Sequence, residues 1–281
     1  MSEDRSVEAD QPASLTRRSV LFGGAVGLAA LGYLGLPTVR RLFVGTFEFE
    51  NLATPTGFRR IAAREVSSVA NPFVGVGPGD GRPTKGDVDL ILSDVCTALY
   101  GKRRFAPGVV PIASFSDYNC PYCRVLTQAL SRLADGTKNR VDVAWHEWPI
   151  FGDISETAAR AALAAERQGA YVGFHKQLMR SRFVPTDTYL QDLAHRLDID
   201  ADQLLTDMQS KPVAQKLAVS RGLAALFGLP GTPALVVGRT LVVGAIDLPT
   251  LEALIERERA DGPMTFCVPS KHRDNGLAMT S

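Results

Sequence analysis

Apolar and polar positions along the chain recur in patterns that predict a mixed α/β fold. Val110, Ile112, Ala113 and Phe115 suit a buried strand, and Pro121, just beyond them, suits the first turn of a helix. The helix continues from Arg124 to Leu133, and Val141 to Trp145 then alternates as a second strand. Strand, helix and strand within this length form a right-handed crossover with a parallel pair. Helical spacing follows. Asp153-x-x-Glu156 resembles a capping box opening a helix towards Gly169, and further helices are expected near Ala170 to Arg180, Thr188 to Leu197 and Asp202 to Met208. Val213, Leu217, Ala224 and Phe227 form an apolar stripe on one more, which Gly228 should end. Ala234 to Gly238 and Leu241 to Ala245 read as a hairpin turning at Arg239, and a last helix runs from about Pro249 to Glu258.

Upstream of the first core strand the pattern is weaker. Gly45 to Ile61 alternates at Phe47 and Phe49 and turns through Thr54-Pro55-Thr56-Gly57, as in a short hairpin or edge strand. Asn71 to Asp89 is rich in Gly and Pro, which marks a loop or linker. Val88, Ile91, Leu92, Val95 and Leu99 then predict one amphipathic helix from Asp87 to Tyr100, carrying Cys96. Before all of this, Arg17 and Arg18 precede a Gly-rich apolar run from Val20 to Leu36. Paired arginines before such a run are similar to a twin-arginine export signal. The Ala-x-Ala-like matches fall inside the run, which favours a retained anchor of about 25 Å, near the lower limit for a bilayer span. The rest of the chain would then face the periplasm.

With 45% hydrophobic and 22% charged residues over 281 positions, the chain has ordinary globular composition, and a net charge of +1 gives no case for nucleic acid. Four cysteines suit an oxidising compartment. Cys120 and Cys123 flank Pro121 and Tyr122 where the strand gives way to the helix. Unpaired amides at a helix start favour an anion, so Cys120 should be the thiolate, partly exposed, with Cys123 one turn on and within disulfide reach. That is the minimum equipment for thiol-disulfide exchange. A static bridge across two residues would remove little loop entropy, and a zinc site would need more ligands than stand nearby. Cys96 and Cys267 could form a second bridge or remain buried thiols; both arrangements stay open. Asp117 and Glu147 could accept a proton, but turn capping or a solvated edge is the preferred reading for both. His146, His175, His195 and His272 lack ligand spacing and read as surface or packing residues, so no metal and no cofactor is expected. Tyr122, Trp145, Trp148 and Phe151 could form an apolar rim for unfolded substrate, with core packing the competing reading for Trp145.

The order of elements resembles the thioredoxin fold, and Phe115-Ser-Asp-Tyr-Asn-Cys-Pro-Tyr-Cys with Gly231-Thr-Pro-Ala is similar to the motifs of the DsbA family. The resemblance covers 105–260 with a helical insertion at 153–228. It leaves 1–18 as a cytoplasmic stretch, 19–36 as the export or anchor segment, 45–104 as an extension and linker, and 261–281 as a tail. It implies that Cys120 attacks and carries the substrate, that Cys123 resolves, and that Pro233 is cis with Thr232 and Tyr122 beside an extended substrate. Two departures stand out: Tyr122 replaces the family's His, and Ser114 occupies a place commonly acidic. The function implied is exchange of the Cys120–Cys123 disulfide with reduced, unfolded exported proteins, with a membrane redox partner. Two alternatives are a disulfide reductase or isomerase and a non-enzymatic module holding Cu(I) between the thiols.

Overall fold

The computed structural model describes residues 47–62, 91–101, 106–136 and 141–267. The twin-arginine segment, the apolar run from Val20 to Leu36, the stretch Asn71 to Asp89 and the tail beyond Cys267, with His272, lie outside them. Among the described residues no helix is long and apolar enough to cross a membrane.

Six strands form one sheet in the order β1-β2-β6-β5-β3-β4. They are β1 (Phe49–Asn51), β2 (Arg59–Ile61), β3 (Val110–Ser116), β4 (Val141–Glu147), β5 (Ala234–Val237) and β6 (Thr240–Val243). β3 runs parallel to β4 and antiparallel to β5, and β5 and β6 form the expected hairpin. Because β3 is flanked by β4 and β5 and covered on both faces, every one of its residues is buried, which is why its sequence reads as a near-continuous apolar run. Alternation then assigns faces. Ile112 packs with Leu126 and Leu130 of α2 (Pro121–Asp135) and Leu254 of α8 (Leu248–Ala260). Ala113 and Phe115 face the other way, onto Leu99 of α1 (Val95–Tyr100) and Leu223 of α7 (Lys211–Leu226).

Between β4 and β5 come α3 (Asp153–Arg167), α4 (Tyr171–Arg180), α5 (Asp187–Arg196), α6 (Ala201–Met208) and α7. Their apolar faces form a cluster that also takes in Tyr118, Cys120 and Cys123. The cysteine pair therefore lies where the helices meet the sheet. α7 stops as expected at Gly228, whose φ of 58° suits glycine.

Three local expectations need correction. Asp153 and Glu156 form no capping box, since Gly152 is the N-cap with no side-chain cap; Glu156 instead pairs with Arg160 at 2.9 Å and with Arg221. The helix expected from Asp87 to Tyr100 is interrupted at Asp94, whose carboxylate caps α1 by accepting from the Thr97 N–H at 2.9 Å. β4 runs two residues past Trp145 and ends on Glu147. The N-terminal hairpin forms, but its second strand also joins the main sheet, with β2 parallel to β6. Arg59 anchors it, reaching Glu258 and Asp261 at 2.6 Å each and Thr240 Oγ1 at 2.8 Å. Of the two arrangements open for Cys96 and Cys267, the structure has the bridge, with the Cα atoms 5.4 Å apart.

Candidate active site

Cys120 is the N-cap of α2 in extended conformation, with Pro121 in the first turn, so its side chain stands over the unpaired amides of that turn. Cys123 follows one turn on, and both are free thiols. The Cys120 thiol is lowered from 9.0 to about 6. The largest cause is a hydrogen bond from the Cys123 thiol; burial opposes it, and the N–H groups of Cys123 and Tyr122 and the Thr232 hydroxyl add to it. Burial pushes Cys123 well above its ordinary value, and its bond to the Cys120 sulfur and the charge there push it further. The two sulfurs thus have opposite tendencies. One holds a thiolate near neutral pH, and the other holds its proton and donates it as a hydrogen bond.

Thr232–Pro233 is a cis peptide bond, in line with the resemblance. The Thr232 carbonyl stands 3.5 Å from Cys120 Sγ. The Thr232 hydroxyl is buried with no geometrically complete hydrogen bond, yet it favours the charged form of both sulfurs. A hydroxyl free to rotate towards a new anion explains both observations.

Cys120 itself is only 2% exposed, a correction to the partly exposed thiolate expected from sequence. Its neighbours Asn119, Pro121 and Tyr122 are exposed, so the sulfur sits just under the surface with the Thr232 carbonyl against it. Tyr122 and Phe151 stand at the surface as a rim should, whereas Trp145 and Trp148 are partly buried against the two sheet clusters. Ile154, Phe183 and Val184 extend the exposed apolar surface, and Ile154 and Phe183 line a small cleft with Tyr118, Asn119 and Arg124.

The carboxylates differ from expectation. Asp117 does cap its turn, accepting from the Asn119 N–H at 2.7 Å, but it is buried and saturated. It also accepts from the Ser155 hydroxyl at 2.6 Å and the N–H groups of Ile150 and Phe151 at 2.7 and 3.1 Å. Glu147 is on no solvated edge: its side chain is 0% exposed. Its Oε1 accepts from the hydroxyls of Tyr118 at 2.6 Å and Tyr171 at 2.5 Å, and His175 Nδ1 lies 3.0 Å away. Burial, followed by the charge of Glu147, pushes both phenols well above their usual value, so they remain donors. Sequence reading missed this cluster because its members come from β4, α4 and the approach to Cys120. The available signals were the alternation Val143, Trp145, Glu147 along one strand face and the Tyr171-x-x-x-His175 spacing on one helix face. His146 is a packing residue, stacked on Phe115 with ring centroids 4.7 Å apart; His195 is exposed. No group of metal-ligating side chains occurs among the described residues.

Comparison with known proteins agrees with this geometry. The profile of the DSBA-like thioredoxin domain matches residues 111–256. A thioredoxin-like oxidoreductase from Silicibacter pomeroyi is 36% identical with a TM-score of 0.53, covering 58% of this chain and 97% of that one. Among curated relatives, the Na(+)/H(+) antiporter NhaA 1 of Salinispora arenicola is 27% identical over 148 residues, 52% of this chain but only 22% of the antiporter. The probable disulfide bond formation protein D of Bacillus anthracis is 24% identical over 161 residues, 53% of this chain and 73% of that protein. A helix-capping thiolate beside a second, buried thiol and a cis proline, in a chain whose greater part fits that profile, leads to one assignment: this chain belongs to the DSBA-like thioredoxin domain family.

Proposed function

We propose that the protein exchanges a Cys120–Cys123 disulfide with reduced, unfolded exported proteins on the periplasmic face of the inner membrane, held there or delivered by its N-terminal twin-arginine segment. The observation that carries this reading is the asymmetry of the sulfurs, with Cys120 lowered to about 6 and Cys123 raised. A client thiolate attacks Cys120 Sγ, the Cys120–Cys123 bond breaks, and the electron pair leaves on Cys123, which takes up a proton. A second client thiolate then attacks the client sulfur of the mixed disulfide. The client gains its disulfide, and Cys120 departs as the stabilised thiolate. A good leaving thiolate at Cys120 favours transfer to the client over return. The covered sulfur requires the client to displace the Thr232 carbonyl from its side, and the exposed side chains of Tyr122, Phe151, Ile154, Phe183 and Val184 supply an apolar surface for that approach. Thr232 and Pro233 would line the extended client segment, and a membrane redox partner would restore the disulfide.

The test is disulfide transfer to a reduced, unfolded client. Cys120→Ala should abolish transfer, and Cys123→Ala, first charged as the mixed disulfide of Cys120 with glutathione, should exchange with a client thiol, release glutathione and leave a Cys120–client disulfide seen by mass spectrometry. Full transfer by Cys120→Ala contradicts the reading.

A further inference from the structure

Glu147 is an expensive residue for its place. A carboxylate with no solvent contact needs strong compensation, and here Oε1 accepts from two phenols, with His175 Nδ1 3.0 Å from it and 2.7 Å from the Tyr118 hydroxyl, while Oε2 has no partner. No lysine or arginine reaches it among the described contacts; His175, buried and ringed by Tyr118, Trp145 and Tyr171, is its one basic neighbour. An apolar side chain would fill such a site at lower desolvation cost, so the location of its three polar neighbours is informative.

They come from two directions. Tyr171 and His175 lie on α4, whereas Tyr118 belongs to the three-residue link between the end of β3 and Cys120. Tyr118 is held at both ends, since its carbonyl accepts from Arg124 at 2.9 Å and Arg124 also binds the Ser181 carbonyl. Asp117 beside it is tied to α3 through Ser155, and its carbonyl accepts from the Cys120 N–H at 3.1 Å. The link is therefore clamped by two buried carboxylates immediately before the thiol. The favourable contacts of Cys120 are short-range ones with first-turn N–H groups and the Cys123 thiol, and they hold only while the sulfur stays over that turn.

We propose that Glu147 is a positioning residue: by holding the Tyr118 hydroxyl it fixes the link that delivers Cys120 to the first turn of α2, and so sets the reactivity of a thiol it does not touch. The inference rests on the reading of Cys120 as the attacking thiol, but its test reads that thiol directly and stands or falls apart from client transfer.

The experiment follows iodoacetamide alkylation of the Cys120 peptide in the reduced full chain against pH, beside urea unfolding. Tyr118→Phe and Glu147→Gln should raise the alkylation midpoint by at least one pH unit, a tenfold loss of thiolate stabilisation, and make the pair less oxidising against glutathione. Tyr171→Phe removes a bond to the same oxygen from the far side. It should lower stability and leave the midpoint in place. If Glu147→Gln does not fold, Tyr118→Phe decides, because it removes one oxygen and keeps the ring. An unchanged midpoint in folded Tyr118→Phe, equal shifts in Tyr118→Phe and Tyr171→Phe, or a shift that folded Glu147→Gln does not share, would overturn the proposal.

Discussion

Four donors favour the charged form of Cys120, and burial alone resists it. The pH consequences differ between the two redox states. In the reduced protein the folded thiol titrates at about 6 against 9.0 for an ordinary one. A depressed acid adds stability that is complete above 9.0 and is lost as pH falls through about 6. In the disulfide form that contribution is absent. His146 acts in both forms: burial, the largest cause, lowers its ring below 6.5, so folding favours the neutral imidazole and stability falls as pH drops through that value. Urea unfolding of the two forms should therefore show the reduced protein gaining on the oxidised one from about 6 to 9.0, with both losing stability below about 6.5. A gap that does not vary with pH would mean that Cys120 is not the depressed thiol. The thiol pair itself was legible in the sequence, because a strand, a proline and two cysteines within one short stretch fix its place locally. Its burial was not, because the covering Thr232 carbonyl lies 112 residues away.

The same contrast separates the elements. β3, α2 and the β5–β6 hairpin announce themselves through apolar spacing, Pro121 and the Gly238 turn. Gly238 has φ 55° and packs so closely on Glu258 that a Cβ would collide with its carboxylate. The attachment of β2 to β6 was not legible, because Arg59 and Glu258 are 199 residues apart and each alone reads as a surface charge. Folding buries Glu258 to 3% exposure between Arg59, Arg239 and Thr240. Removing one member of a buried charge group leaves the others unpaired. Glu258→Ala is expected to destabilise the protein by about 3–5 kcal/mol, the usual range for breaking a buried pair. The pair Arg60–Glu50 makes the comparison, since at 58% and 52% side-chain exposure it is solvated. Arg60→Ala should stay under about 1 kcal/mol in the same urea titration. Equal effects would mean that β2 is held by its backbone pairing and not by the Arg59 anchor.

Across the whole molecule, the two cysteine pairs carry separate duties. The bridge Cys96–Cys267 joins α1 to the short 3-10 turn Thr265–Cys267 and spans 171 residues of chain, enclosing almost every element of the fold. Cross-linking so long a loop restricts the unfolded chain strongly, by about 5 kcal/mol in the entropic account, although measured effects are usually about 2–4 kcal/mol. Cys96 packs in the cluster around Phe115 and Leu223, whereas Cys120 belongs to the cluster of the helical segment. Stability and thiol chemistry should then separate. The double variant Cys96→Ala, Cys267→Ala should melt roughly 5–15 °C lower, taking about 2–4 °C per kcal/mol for a chain of this size. Its Cys120 alkylation midpoint should stay at about 6, because all four donors to that sulfur come from the first turn of α2 and from Thr232. A midpoint that moved with the melting temperature would show the bridge reaching the reactive thiol through the sheet, and the two pairs would then form one coupled system.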